Sequence, residues 1–229
     1  MNTKLDKRRK YYLILDCETA TLPYASNYAK EPEKKKKIAI AKPLIYDLGW
    51  SIVDRKGNVY RRKNFLITEI FSVPSVFNTA YFSNKRPIYL EKLRKGEIVL
   101  TDWNSAIEEL ENDLSAVESV GAYNSMFDYK KAIPFTEEYI KNLYSPNYQK
   151  WEEFQNAVCE NIANGETYEN KKDFDGENFI LRGKTYPLFD IWGLAVIHLL
   201  DRVSYREECL KNGLLTNSGI YFKTSAEST

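Results

Sequence analysis

An uninterrupted apolar run, Tyr11-Tyr12-Leu13-Ile14-Leu15, ends directly in Asp16-Cys17-Glu18-Thr19, and this junction strongly constrains the fold. Five consecutive aromatic and aliphatic residues predict a strand that is buried on both faces, as in the centre of a mixed sheet. In a strand, residues two apart point to the same side. Asp16 and Glu18 can therefore present their carboxylates together, while Cys17 faces away.

The composition is that of a folded globular protein. With 229 residues, of which 43% are hydrophobic and 28% charged, the chain fits one well-packed domain over residues 1–229. A segment around residues 160–180 is dense in Asn, Lys, Glu, Asp and Gly and is predicted to be a polar insertion. The formal net charge of +1 excludes a global basic field, so any binding of nucleic acid must depend on local patches.

The cysteines indicate a reducing compartment. Cys17, Cys159 and Cys209 are far apart and form no Cys-x-x-Cys pair, which argues against a zinc site or a disulfide framework. The apolar run at the N-terminus is too short for a signal peptide or a membrane span. We therefore expect a cytoplasmic protein that does not associate with membranes.

The order of predicted elements favours an α/β fold with a mixed sheet of five strands. The strands are expected at residues 11–15, 44–53, 59–70, 119–123 and 179–189, the last interrupted at 182–184. Helices are expected at residues 87–95, 101–117, 136–158 and 190–200, and Asn124 begins a turn into another helix that carries Asp128. Thr101 or Asp102 would cap the second of these helices.

The acidic residues suggest metal chemistry. Two carboxylates held close together repel each other unless a cation lies between them. Mg²⁺ and Mn²⁺ prefer carboxylate oxygens, and two such ions roughly 4 Å apart can stabilise both the attacking and the leaving oxygen of a phosphoryl displacement. Asp128, entering from a helix after a neighbouring strand, would be a third ligand. The alternative for Asp-x-Glu alone is a solvated strand end.

Two motifs carry a specific resemblance. Asp16-Cys17-Glu18-Thr19 resembles the Asp-x-Glu-Thr motif of DEDD-type 3′→5′ exonucleases of the DnaQ-like group, and the segment 122–128 resembles their second motif. The run Tyr46-Asp47-Leu48-Gly49-Trp50 is similar to phage-borne members. The resemblance implies a ribonuclease H-like fold, in which helices flank the mixed five-stranded sheet. It also implies a two-metal 3′→5′ exonuclease that uses Mg²⁺ or Mn²⁺ on the 3′ ends of single-stranded DNA or RNA.

The resemblance also assigns roles to residues. Asp16, Glu18 and Asp128 would be the catalytic metal ligands. Thr19, with the backbone that follows it, would contact the terminal nucleotide. Asn124 would lie near the scissile phosphate or its sugar; the alternative is a turn residue that accepts left-handed geometry and caps the next helix.

The third motif of this group, which supplies a fourth carboxylate and a general base, is not found. His198 is the only histidine, and no aspartate lies five residues beyond it. Tyr186 and Asp190 have the spacing of a Tyr-x-x-x-Asp motif, but Tyr186 falls in the predicted strand and Asp190 at the start of the predicted helix, so the two do not share one helix. We therefore expect the chain to end before its fourth ligand. Two alternatives follow: a catalytically inactive domain that binds single-stranded nucleic acid, and a ribonuclease H-like endonuclease.

Basic residues near the acidic strand could contact phosphates. Lys34 to Lys37 follow that strand in a predicted loop or short helix, and Arg61, Arg62 and Lys63 lie on the predicted hairpin. The alternative is that these side chains simply face water.

Overall fold

The structure is a computed structural model that describes residues 5–6, 9–23, 32–165, 178–191 and 194. The chain divides into two compact units, residues 1–189 and 190–229. Only residues 190, 191 and 194 of the second unit are described. The elements below belong to the first unit, apart from the last residue of its final strand.

A mixed sheet of seven strands organises the described part of the chain. Its spatial order is β4-β3-β2-β1-β5-β7-β6. The strands are β1 (Tyr11–Thr21), β2 (Pro43–Asp54), β3 (Val59–Ile67), β4 (Val99–Thr101), β5 (Ser119–Ala122), β6 (Asn178–Leu181) and β7 (Lys184–Asp190). β1 pairs antiparallel with β2 and parallel with β5, whereas β2 and β3 are antiparallel and β3 and β4 parallel. The prediction that the acidic strand is central in a mixed sheet is confirmed.

The expectation of five strands was wrong for two local reasons. β4 is only three residues long and exposes Val99 and Leu100, so its apolar pattern is too short to predict a strand. The segment 179–189 is not one strand, because Arg182 (φ 46°) and Gly183 (φ 81°) reverse the chain between β6 and β7. Two successive residues with positive φ are what a two-residue hairpin turn requires.

Helices cover the sheet and connect its strands. They are α1 (Pro32–Ala41), α2 (Thr68–Phe71), α3 (Pro74–Phe77), α4 (Arg86–Lys95), α5 (Trp103–Leu114), α6 (Ser125–Phe127), α7 (Ile133–Leu143) and α8 (Tyr148–Ala163). A 3₁₀ turn (Ser83–Lys85) precedes α4, and a π-helical turn (Asp128–Ala132) joins α6 to α7. The cap predicted for α5 is confirmed, since the Asp102 carboxylate accepts a hydrogen bond of 2.9 Å from Ser105 N. The third strand ends earlier than predicted, because α2 begins at Thr68.

The core lies mainly on one side of β1. Tyr11, Leu13 and Leu15 are buried, whereas Tyr12 and Ile14 on the opposite side are half-buried. The expectation that both faces of this strand are fully buried was therefore wrong. No helix in the described part of the chain is long and apolar enough to cross a membrane.

Candidate functional site

Three carboxylates lie on two adjacent strands, just past the part of β1 that pairs with β5. β1 and β2 pair so that Asp16 is opposite Gly49 and Glu18 is opposite Asp47, with a bulge directly after Glu18. Directly opposite residues of an antiparallel pair share a face of the sheet. Asp16, Glu18 and Asp47 therefore form one group, which we call the acidic cluster.

The sequence prediction missed Asp47. A signal was present, because Asp47 is a charged residue between Tyr46 and Leu48 in an otherwise apolar strand. A carboxylate at such a position needs partners or a function. Its location opposite Glu18 depends on the pairing register of β1 and β2, which the sequence does not specify.

Glu18 experiences the strongest repulsion in the acidic cluster. Partial burial, and then the charges of Asp16 and Asp47, raise its pKa from 4.5 to about 7, although the positive charge of Lys85 acts in the opposite direction. Burial also raises the pKa of Asp16, even though its side chain reaches solvent, because surrounding protein atoms replace part of its water. The cluster therefore disfavours a full set of negative charges unless a proton or a cation joins it.

Asp47 is held by neutral donors. Asn64 Nδ2 donates a hydrogen bond of 2.6 Å to Asp47 Oδ1. Burial raises the pKa of Asp47, and hydrogen bonds from Asn64 and Tyr89 lower it. The charge of Asp16 raises this pKa further and that of Lys92 lowers it. Asp47 is therefore positioned by β3 and α4 while it remains coupled to Asp16.

One side of α4 borders the acidic cluster. Lys85, the last residue of the 3₁₀ turn, precedes α4, and Tyr89 and Lys92 follow it on the helix at spacings of four and three residues. Lys85 interacts electrostatically with Glu18, and Lys92 with Asp47. The Tyr89 hydroxyl also lies 3.4 Å from that of Tyr46. Two ammonium groups thus offset part of the charge of three carboxylates.

Asp128 contacts the residue between the two acids of β1. It follows β5 and the short helix α6, is 4% exposed, and accepts a hydrogen bond of 2.8 Å from Cys17 Sγ through Oδ1. Burial and the charge of Asp128 raise the pKa of the Cys17 thiol. Cys17 thus connects Asp128 to β1, a role that its position facing away from Asp16 and Glu18 did not suggest. Among the described residues, no three Asp, Glu, His or Cys side chains are grouped as a metal ion would require.

Asn124 caps a helix. Its side-chain oxygen accepts a hydrogen bond of 3.2 Å from Phe127 N, and its backbone oxygen accepts one of 3.1 Å from Asp128 N. Its φ is −126°, so the residue is a cap without the left-handed geometry considered above. Phe127 packs against the core. The cap fixes the backbone that carries Asp128, and contact of Asn124 with a substrate stays a prediction.

Thr19 directly follows the bulge in β1. It pairs with Ile45 and is half-buried. Contact of Thr19 with a terminal nucleotide remains a prediction.

The late residues of the chain are described only in part. Tyr186 and Asp190 both lie on β7, so they do not share a helix, and the strand continues one residue past its predicted end at 189. His198 and most of the predicted helix 190–200 lie outside the described residues, as does most of the polar segment around 160–180.

Two of the basic residues on the hairpin have structural partners. Arg61 forms an ion pair with Asp113, and Lys63 Nζ lies 2.5 Å from a Glu109 oxygen and 3.2 Å from an Asp113 oxygen. Asp113 is fully buried and also accepts a hydrogen bond of 2.8 Å from Trp50 Nε1. Arg61 and Lys63 therefore attach the hairpin to α5. The lysine run 34–37 lies on α1.

Comparisons of the chain with protein-family models, with curated proteins and with solved structures found no match in any of the three. A functional assignment must therefore depend on the residues and geometry of this chain.

Proposed function

We propose that this protein hydrolyses phosphodiester bonds at the 3′ ends of single-stranded nucleic acids, as a metal-dependent exonuclease with a ribonuclease H-like fold. The observation that carries the proposal is the acidic cluster, in which Asp16, Glu18 and Asp47 share one face of the adjacent strands β1 and β2, just past the end of β5. A protein gains nothing in stability from such repulsion, and clustered groups with perturbed pKa values are typical of functional sites.

The arrangement of elements supports the proposal. The strand that carries Asp16 and Glu18 is central in a mixed sheet, and an antiparallel hairpin follows it directly along the chain. β5 lies parallel to β1 on its other side and leads into the turn that carries Asp128. The two resembling motifs thus fall on adjacent strands.

The donors suit a hard divalent cation in chemistry, since Mg²⁺ and Mn²⁺ prefer carboxylate oxygens. Asp16 and Glu18 would hold the metal. Asp128 contacts Cys17, which faces away from these two acids, so as the third ligand that the resemblance implies it would have to leave Cys17 Sγ and reach the other side of β1. The bound metal would supply charge stabilisation for the phosphoryl displacement. Asp47 adds negative charge beside Glu18, while Thr19 and Asn124 would contact the terminal nucleotide.

A second candidate is a domain that binds single-stranded nucleic acid without cutting it. The contact between Cys17 and the buried Asp128 favours it, because this carboxylate is engaged by a thiol and the described residues contain no group of three metal ligands. Loss of one carboxylate ligand is expected to lower the rate by roughly 100-fold or more, since several kcal/mol of transition-state stabilisation disappear.

A 5′-fluorescein-labelled oligonucleotide separates the candidates. We expect stepwise shortening from the 3′ end with Mg²⁺ or Mn²⁺, none with EDTA, and a rate lowered roughly 100-fold or more in both Asp16→Asn and Asp128→Asn. Glu108→Gln, a change of an exposed glutamate on α5, serves as the matched control and should retain the rate. Binding without cleavage would establish the second candidate, and internal cuts on a 3′-blocked strand would indicate an endonuclease.

A further inference from the structure

Two aromatic rings and a lysine form an exposed group on the segment between α3 and α4. Tyr81 is 87% exposed, the largest exposure among the large hydrophobic side chains described. Its ring packs edge-on against Phe82, with centroids 4.8 Å apart. The Lys85 ammonium lies 3.5 Å from the centroid of the Phe82 ring. The group therefore combines an open aromatic face with a positive charge.

This segment is attached to the end of the acidic strand. Thr79 Oγ1 accepts a hydrogen bond of 2.8 Å from Thr21 N and lies 2.9 Å from Thr21 O. Lys85, at the other end of the group, interacts electrostatically with Glu18. Tyr81 and Phe82 are therefore placed beside the acidic cluster by contacts on both sides of them.

Arg86 attaches the segment that carries Tyr81 and Phe82 to the core. Its Nη1 donates a hydrogen bond of 3.2 Å to Phe71 O. Its guanidinium also lies 5.0 Å from the ring centroid of Phe71 and 5.2 Å from that of Phe77. Both rings are buried in the core. The exposed aromatic group is therefore linked to the buried core through Arg86.

Exposed single hydrophobic side chains are common and need no explanation. Here the open ring, the ammonium group and the nearby carboxylates occur together, and this combination selects a ligand. Unpaired bases offer π-faces that stack on aromatic side chains, and their phosphates pair with lysine. A duplex keeps all but its terminal base faces stacked inside, so it offers fewer faces to an exposed ring than a single strand does.

We infer that Tyr81, Phe82 and Lys85 form a subsite for the last nucleotides of a single strand, in which Tyr81 stacks on a base and Lys85 contacts a phosphate. The inference rests on the proposed function and adds to it three residues outside the acidic cluster that would bind the unpaired strand. The Phe82 ring, 3.5 Å from the Lys85 ammonium, would help to position it.

The test measures binding, so that it is separate from cleavage. Affinity for a 5′-fluorescein-labelled single strand is measured by anisotropy with EDTA present, for the full chain and for Tyr81→Ala, Tyr81→Phe and Tyr144→Ala. Tyr144 is the matched control, since it is 72% exposed and lies at the end of α7. We expect Tyr81→Ala to weaken binding about tenfold, because loss of one stacked base has an effect of this order. Tyr81→Phe and Tyr144→Ala should bind like the unaltered protein.

Two further measurements identify the contacts. With a strand whose last two nucleotides are abasic, the unaltered protein should bind as weakly as Tyr81→Ala, and Tyr81→Ala should lose nothing more. Lys85→Gln should lower the slope of log affinity against log salt by about 0.7, the value for one phosphate contact on a single strand.

The outcomes separate this inference from the proposed function. If the unaltered protein shortens single strands from the 3′ end but Tyr81→Ala binds them equally well, the subsite is refuted and the exonuclease proposal stands. If the unaltered protein neither binds nor cuts single strands, both are refuted. Equal affinity for a blunt duplex and a single strand would also overturn the subsite.

Discussion

Glu18→Gln should stabilise the folded protein at alkaline pH, although it should abolish cleavage. Burial and the charges of Asp16 and Asp47 raise the pKa of Glu18 from 4.5 to about 7. The folded state therefore binds this proton more tightly than the unfolded state does. Stability from this group is greatest below the unfolded pKa of 4.5, falls as the pH rises towards 7, and stays low above 7.

The size of the effect follows from the two pKa values. The difference between 4.5 and about 7 corresponds to about 3 kcal/mol at 1.36 kcal/mol per pH unit. Glu18 is only half-buried, so solvent screening reduces this value, and we expect about 1–2 kcal/mol. Glutamine has nearly the same shape as glutamic acid and carries no charge. The variant should therefore gain about 1–2 kcal/mol near pH 8 and nothing near pH 4.

Urea denaturation at these two pH values, followed by tryptophan fluorescence, measures the difference. Glu108→Gln, on an exposed face of α5, should change the free energy of unfolding by less than about 0.5 kcal/mol at both pH values. A Glu18→Gln variant that is destabilised near pH 8, or that shows the same change at both pH values, would refute the electrostatic reasoning about the acidic cluster.

Three further substitutions test the packing that supports the site. Asp113→Ala should destabilise the protein by about 3–5 kcal/mol in urea denaturation, because it removes the buried partner of Arg61 and of the Trp50 indole, whereas Asp113→Asn should lose less. Equal stability of Asp113→Ala and the unaltered protein would contradict the role of Asp113 as a stabilising buried partner. Gly121→Ala should lower stability by about 1–3 kcal/mol, since its Cβ would overlap the ring of Phe189; an unchanged thermal midpoint would show that the ring moves freely. Asp102→Ala should lower stability by about 1 kcal/mol through loss of the α5 cap, and Asp102→Asn should restore most of it in the same denaturation assay.

Local patterns predicted several elements correctly. The apolar run 11–15 specified a strand, and the turn residues 54–58 specified the reversal between β2 and β3, in which Asp54 accepts hydrogen bonds from Lys56 N and Asn58 N. The apolar periodicity of Ile107, Leu110 and Leu114 specified the buried face of α5. These predictions succeeded because the residues that determine each element are close in sequence, within one or two helical turns or strand repeats of each other.

Local sequence patterns did not predict two other features, β4 and the reversal between β6 and β7. β4 is a strand only because β3 is available as a parallel partner, since two of its three residues are exposed. The β6–β7 reversal requires a non-glycine residue, Arg182, to adopt a positive φ, which few residues other than glycine do. Both features are stabilised by neighbours, so their own sequences indicate them only weakly.

The sequence by itself determined where the acids of β1 stand and which side of the strand each faces, because alternation is a property of the extended backbone. It likewise determined that Asn124 and Asp102 end extended segments and begin helices. Only the tertiary structure decided that Asp47 lies opposite Glu18, that Cys17 contacts Asp128 across 111 residues of chain, and that Thr79 contacts Thr21 at the end of β1. These relations depend on strand register and on long-range packing. A shift of the register by one residue would turn every side chain of a strand to the opposite face.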